Sequence, residues 1–488
     1  MRMVLLGIWV LSTVFMASCA NSTSNTGASA IAGIDSTKTS VEPVAFARDL
    51  DEIIEDGVLN AITIYSSTSY FLYKGVPMGF EYELLKRLAD DLGVELHVTI
   101  ANDIDDLFKM LNDGQGDIIA YGLTITEPRK KLVDFTQHHF TTYQSLVQKM
   151  PDNWRDLPGY KIDKYLITNT LDLLDDTVYV RKNSSYAERI QNLEEEMGGK
   201  IHVKYIDGNI PTDEIIKMVV EGKISRTIAD HNIASINKTY YPILDIDTKI
   251  SFAQRVAWAV PKNCNALLRA INEWIKKEKK QDDYYVIFNK YFKDKKSYRR
   301  IVQSDFFSKN GNKISQYDEL IKSNAKTIGW DWRLLTSQVY QESRFDPNAR
   351  SWAGAEGLIQ LMPSTAKEVG VDNPTDPESN LKGGVRYLAK LWKRFEAIED
   401  SIQRIKFTLA SFNCGYGHVV DAQKLAEIEG QEHKVWDNAV ENYILKLSDK
   451  KYYLHNAVKY GYVRGKEPFN YVKDIFLRFE HYQQFIKK

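Results

Sequence analysis

Hydrophobic and polar positions change their period several times along this chain. Residues 4–16 form an apolar run behind Arg2 and ahead of the small residues Ala17-Ser18-Cys19. Such a run is too short for a comfortable membrane span and has the layout of a secretion signal. Residues 20–45 are small and polar without a period, the pattern of a flexible, disordered leash. From residue 46 two periods alternate. Residues 61–65 read as a strand, and Leu84, Leu85, Leu88 and Leu92 make a helical stripe that stops at Gly93. Residues 95–100 read as a strand again, Leu107, Met110 and Leu111 as a helix, and residues 117–121 as a third strand. This alternation predicts an α/β region with a mostly parallel sheet.

Past residue 300 the period is helical throughout. The spacing predicts helices over 314–328, ending at Gly329, over 385–395 and over 402–411, with a further start at Pro363. Between them one stripe carries a carboxylate. Trp332, Leu335, Val339 and Glu342 stand at i, i+3, i+7 and i+10, and the first three are apolar. A carboxyl held against apolar surface has its ionised form destabilised. It therefore keeps a proton near neutral pH, as a general acid must. The stripe alone favours a blander alternative, a helix-end Glu that reaches solvent. The residues around it reverse that preference.

Composition narrows the field. The chain has 488 residues, a length that suggests about two to four domains. Hydrophobic residues make up 43% and charged residues 26%, as in a folded globular protein. A net charge of −1 supplies no global basic field for nucleic acid. The basic stretch 293–300 reads as a solvated helix face or linker. The 28 tyrosines and 9 tryptophans suit stacking on sugars and equally suit ordinary cores. Beyond Cys19 only Cys264 and Cys414 remain, in different regions, which argues against a disulfide framework. No Cys/His spacing matches a metal site, and no cofactor is expected.

Glu342-Ser343, Gly357-Leu358-Ile359-Gln360, Ala410-Ser411-Phe412-Asn413-Cys414-Gly415 and a late Tyr471 occur in that order. The set resembles the lytic transglycosylase family with the goose-type lysozyme-like fold, over roughly residues 305–488. The resemblance implies an enzyme that cleaves the bond between MurNAc and GlcNAc of peptidoglycan with one catalytic carboxyl, Glu342. Glycosidases usually use two. Here Glu342 would protonate the leaving oxygen, and the MurNAc N-acetyl group would assist at the anomeric carbon. Glu342 would then take the proton of the sugar's own C6 hydroxyl as it attacks, giving a 1,6-anhydro ring. A tethered nucleophile gains effective concentration. The resemblance further implies that Gln360 positions the sugar, Asn413 holds the N-acetyl region, and Tyr471 bonds Glu342 or the developing charge. Ser343 would touch substrate or orient Glu342, or else bond its own helix backbone. Ile359 replaces the usual Met and Phe412 the usual Tyr, so a hydroxyl contact is lost. One rival is a hydrolase of the same fold with Glu356 or Asp346 activating water.

Gly79-Phe80-Glu81-Tyr82-Glu83-Leu84 and the run from Asp117 through Gly122, Thr124 and Thr126 to Arg129 resemble the amino-acid-type periplasmic solute-binding family, over roughly residues 46–295. That family has two α/β lobes joined by two hinge strands, expected here near 144–150 and 252–260. The resemblance implies that Arg129 grips a ligand α-carboxylate, a role suited to its planar fork. It places Gly122 and Thr124 beside that carboxylate and Asp230 on the α-amino group. Ser184 and Ser185 would offer further contacts to the carboxylate, although the usual Gly-Thr is absent. Tyr65 and Tyr70 either wall the pocket or pack in the core.

Met16-Ala17-Ser18-Cys19 is similar to a bacterial lipobox, with Met where Leu is usual. This implies diacylation at Cys19, and Ala20 in place of Asp points to the periplasmic face of the outer membrane. The expected organisation is a lipoprotein signal (1–19), a tether (20–45), a solute-binding regulatory domain (46–300) and a helical, lysozyme-like lytic domain (301–488). The fusion resembles the F type of membrane-bound lytic transglycosylase. Its expected partners are glycan strands, an amino acid or muropeptide effector, and the membrane. A second rival is a non-enzymatic cell-wall or amino-acid binding lipoprotein, which would not need the helical tail.

Overall fold

Each long apolar stripe becomes an element whose ends are set by a local cap. The computed structural model describes residues 47–308 and 310–488; the expected signal, Cys19 and the tether lie outside them. The Leu84 stripe is the helix Phe80–Leu92, closed by Gly93 at φ 73°, a left-handed turn that glycine adopts without steric cost. It starts ahead of the leucines because Phe80 and Glu81 are buried too. The helix Ile104–Asn112 is capped by Asp103, whose side chain accepts from the Asp106 amide at 2.8 Å.

Two sheets form two lobes. The first runs Glu95–Ala101, Val58–Ile64, Ile118–Thr124, Gln254–Val260 and Asp134–Phe135, with Phe140–Thr142 also paired to Gln254–Val260. Its first three strands are parallel, and Gln254–Val260 runs against its neighbours. The second runs His202–Ile206, Thr177–Arg181, Arg226–Asp230, Gln144–Lys149 and Leu244–Asp245. Phe140–Thr142 lies in the first sheet and Gln144–Lys149 in the second, so the outward crossing falls at Tyr143, at the edge of the expected hinge. The return falls between Ile250 and Gln254. Ile250 donates to the Gln144 carbonyl at 2.8 Å, and the Gln144 side chain donates to Gln254 at 3.1 Å. The two crossings thus lie side by side.

The rest is helical. Asp331 caps the helix Trp332–Ser343, which buries Trp332, Leu335 and Val339 on the expected stripe. The helix Pro377–Arg394 begins ahead of its stripe, because Asp376 caps it at Ser379. Asp400 caps Ser401–Cys414. The helix expected over 314–328 begins only at Asp318. The Asp318 carboxylate accepts from the Ile314 and Ser315 amides at 2.7 and 2.8 Å, so it holds those residues in a turn outside the helix. The last helix, Lys466–Phe485, packs along Trp332–Ser343 and Ser401–Cys414. No helix among the described residues is long and apolar enough to cross a membrane.

The hairpin Phe71–Tyr73/Val76–Met78 joins the two regions by the period of a strand. Leu72 points into the core of the helical region, whereas Phe71 and Tyr73 pack with the first lobe. Gly75, at φ 76°, lies under Tyr482, whose hydroxyl donates to the Gly75 carbonyl at 3.0 Å. A Cβ there would meet that hydroxyl at 2.6 Å. Tyr65 and Tyr70 belong to this junction and not to the wall of the inner cavity between the lobes. Tyr70 is fully buried, hydrogen-bonded to His481 and 4.8 Å from the Phe485 ring. Tyr65 donates to Ser308 at 3.0 Å and lies 5.1 Å from Phe485.

Phe485 packs against both cores. Phe485→Ala should cost about 2–4 kcal/mol and split unfolding into two transitions. Scanning calorimetry checks this, and a single unshifted transition would contradict it.

Candidate functional site

Glu342 sits in the last turn of Trp332–Ser343, where the chain leaves the helix through Arg344 at φ 52°. Burial pushes its carboxyl up to about 8, against the opposing pull of the Tyr471 hydroxyl, which donates to it. Tyr471 comes from the last helix, is itself buried, and receives a bond from the Gln338 amide at 3.2 Å. Burial first, and then the charge of Glu342, push the Tyr471 phenol well above its ordinary range, so it stays a donor. Gln338 lies one turn before Glu342 on the same helix face. Its Oε1 is buried and has no partner among the described residues.

The loop after Glu342 is built as a fixed wall. The Ser343 hydroxyl is buried and points to the carbonyls of Leu358, at 2.8 Å, and Val339, at 3.2 Å. It therefore ties the helix end to the Gly357–Gln360 loop. Gln360 has φ 48°, and its amide donates to Ala349 and Gly357 carbonyls, each at 2.9 Å. Gly357 has φ 88°, and a Cβ there would meet the Pro374 carbonyl at 2.1 Å, so only glycine fits. Asn380, fully buried, accepts from the Ile359 amide at 2.9 Å and donates to the Glu356 carbonyl at 3.0 Å. Half-buried Asn413 lies in the last turn of Ser401–Cys414, and its side chain makes no hydrogen bond among the described residues. The Phe412 ring packs on Tyr387 at 5.7 Å. Asp346 accepts from the Asn348 amide at 2.9 Å, and Glu356 pairs with Arg350 at 3.2 Å.

The second candidate site is the cleft between the lobes. Gly122, Thr124 and Arg129 line it from the first lobe, and Ser184, Ser185 and Asp230 from the second, around a cavity of about 60 Å³. Arg129 is buried, donates to the Thr124 carbonyl at 3.0 Å, and lies 5.8 Å from the Phe108 ring centre. Burial lowers its pKa, against the charges of Glu188, Asp230 and two tyrosines. Burial raises Asp230 to about 6, against the Tyr186 hydroxyl at 3.3 Å and the charge of Arg129. The other Asp230 oxygen is buried and has no hydrogen-bond partner among the described residues. Ser184 turns back to the Arg181 carbonyl at 2.6 Å, and Ser185 reaches Thr124 at 3.5 Å across the cleft.

Several residues of both sites escaped the sequence reading. Gln338, Asn380, Tyr186, Glu81 and Arg181 all gain their positions through long-range packing. Only Gln338, one turn from Glu342, carried a usable signal. Among the described residues no group of three His, Cys, Asp or Glu side chains converges on a metal position.

The model for bacterial extracellular solute-binding proteins, family 3, matches residues 59–294, and that for the transglycosylase SLT domain matches residues 319–435. An ancestral amino-acid-binding protein, described as a precursor of cyclohexadienyl dehydratase, is 27% identical and covers 50% of this chain and 99% of its own at a TM-score of 0.42. Membrane-bound lytic murein transglycosylase F of Desulfosudis oleivorans is 35% identical, covering 90% of this chain and 92% of its own. The protein of that name from Pseudomonas fluorescens strain Pf-5 is 33% identical, covering 87% and 85%. The chain belongs to the membrane-bound lytic murein transglycosylase F family.

Proposed function

We propose that this lytic transglycosylase cleaves peptidoglycan between MurNAc and GlcNAc with Glu342 as its only acid and base, leaving a 1,6-anhydro end. The observation that carries this reading is the half-buried Glu342 carboxyl, pushed up to about 8 by the apolar surroundings of the carboxyl and bonded by Tyr471. Its proton goes to the GlcNAc oxygen as the C1–O bond breaks. The resulting carboxylate takes the proton from the C6 hydroxyl as O6 bonds to C1, so no water is consumed. Tyr471 steadies the carboxylate between the two transfers. Asn413, with a free side-chain amide, receives the N-acetyl group. Gln360 and Ser343 support it by fixing the wall against which the sugar lies. The hydrolase alternative is less favoured because Asp346 and Glu356 are each engaged elsewhere.

The bilobal region, in the same reading, binds an amino acid or a wall peptide, with Arg129 on the α-carboxylate and Asp230 on the amine. Ligand closure would regulate cleavage by moving the second lobe, because the last helix, which bears Tyr471 near one end, docks on the first lobe with the other. A membrane-associated enzyme in the periplasm fits the family; lipidation at Cys19 and the outer membrane complete the proposal.

Glu342→Gln should abolish products with 1,6-anhydro ends, read by mass spectrometry of purified peptidoglycan. Products carrying an added water from the unaltered protein would instead establish a hydrolase. Rates should fall as pH rises through about 8, where Glu342 loses its proton. Tyr471→Phe removes a donor that favours the carboxylate, so it should move this alkaline limb to higher pH and slow the reaction by about 10–100-fold. A pH–rate profile with an unmoved limb would exclude Tyr471 as the partner. Arg129→Ala should weaken binding of any α-amino acid ligand by about 100-fold, measured by equilibrium titration. Unchanged binding would remove Arg129 from the site.

A further inference from the structure

Arg181 stands at the end of Thr177–Arg181, only 2% exposed, and lines the same inner cavity as Arg129. Its Nε donates to the Gly208 carbonyl at 2.7 Å, and Nη2 donates to the same oxygen. A guanidinium has five N–H donors, so one edge of the fork remains for other acceptors. Tyr121, which lines the same cavity, takes both a hydrogen bond and the charge of Arg181, so the guanidinium meets a neutral phenol there and no carboxylate.

Neither Arg181 nor Arg129 has a carboxylate oxygen within 4.0 Å among the described residues. Buried charges are ordinarily paired, because leaving one unpaired costs several kcal/mol. The acids that line the cavity do not close this gap. Glu81 is held by the Trp258 indole, and burial raises it to about 7. Asp213 has a partner of its own. Asp230 presents one buried oxygen without a partner. Among the described residues the cavity therefore offers two cations outside any ion pair and, on Asp230, one carboxylate oxygen without a hydrogen-bond partner. Its complement is a ligand with two anionic groups and one ammonium.

We propose that Arg181 reads a second carboxylate of the ligand, so that the cleft takes an α-amino acid with an acidic side chain, or a peptide presenting one. This rests on the amino-acid reading of the cleft given above and adds the side-chain class. The free acid and the peptide share this chemistry. The inner cavity shares Ile104, Arg129, Ser184 and Ser185 with a wider outer cleft of about 740 Å³, which leaves room for a chain to extend.

Calorimetric titration of the full chain with L-glutamate, D-glutamate, L-glutamine, L-arginine and alanyl-glutamate tests this. One or both glutamates, or the dipeptide, should bind at least about tenfold more tightly than glutamine. Tighter binding of the dipeptide than of the free acid would identify a peptide source, and the reverse a free amino acid; either supports the second carboxylate. Arg181→Gln should bring acid and amide to within about threefold of each other while glutamine binding holds, and Arg129→Gln should weaken both. Arg181→Lys keeps the charge and should retain part of the acid preference, which separates recognition from misfolding. Equal binding of glutamate and glutamine, or an equal loss of both in Arg181→Gln, would make Arg181 a structural residue and overturn the inference. If arginine or glutamine binds through Arg129 and no acid does, only this inference fails. If nothing in the panel binds, the amino-acid reading fails with it.

Discussion

The bond from Tyr471 to Glu342 joins residues 129 positions apart, and the arrangement of the helical region follows from the need to make it. Burying a carboxylate costs several kcal/mol, whereas a hydrogen bond to a charged group returns about 1.5–3 kcal/mol. Burial therefore wins, and the carboxyl rises to about 8 instead of falling below its usual range. A stronger set of donors would have made Glu342 an ordinary carboxylate with no proton to give. In the proposed mechanism, one phenol would steady the ion after transfer without preventing protonation before it. Placing that phenol requires the last helix to lie along the acid helix. Ser337 Oγ donating to the Ile475 carbonyl at 2.7 Å and Arg478 donating to Gln341 at 3.0 Å hold it there.

The wall opposite depends on backbone conformations that few residues tolerate. Gly357 is left-handed and pressed against Pro374, and Gln360 is a non-glycine residue at positive φ. Such a loop costs energy to hold. Asn380 and the Gln360 side chain offset that cost with two hydrogen bonds each. Gly384 lets the helix behind approach, since a Cβ there would meet Ile359 at 2.3 Å. The motif Gly-Leu-Ile-Gln is thus a description of a backbone shape as much as of its side chains.

What the sequence discloses here is what short-range periodicity determines. The Leu84 stripe with its stop at Gly93, the stripe ending in Glu342 and the helix start at Pro363 concern residues within a turn or two of each other. Those elements appear with ends displaced by a few residues, because a side chain such as Asp318 can withdraw backbone from a helix. The resemblance supplied the order of the motifs, which periodicity cannot. Asn380 and Arg181 stayed invisible, since an Asn in a helix and an Arg at the end of a strand have no distinguishing spacing. The hairpin was equally hidden. Its period of two sends Leu72 to one core and Phe71 to another, a division that exists only once both cores are formed.

That hairpin also constrains any coupling between cleft and acid. A ligand can shift only states that it binds differently, so closure of the lobes must either alter a contact that the last helix shares with the first lobe or move the second lobe against both. Those contacts are numerous and of mixed kind. Tyr482 bonds Gly75, Gln484 bonds the Val98 carbonyl at 2.6 Å, Lys473 pairs with Glu95 at 2.6 Å, and His481 bonds Tyr70. Burial lowers His481 to about 4, with the charges of Arg478 and His97 acting the same way, so the ring is neutral at physiological pH and this junction does not depend on its ionisation. The first lobe and the last helix therefore move as one packed body. The second lobe is the part left to swing, through the paired crossings at Tyr143 and at residues 250–254. Under the proposed regulation, a signal from the cleft would reach Glu342 as the second lobe approaching or leaving the helical region, with the Tyr471 bond intact, and access to the groove rather than the acid's protonation would be the quantity under control.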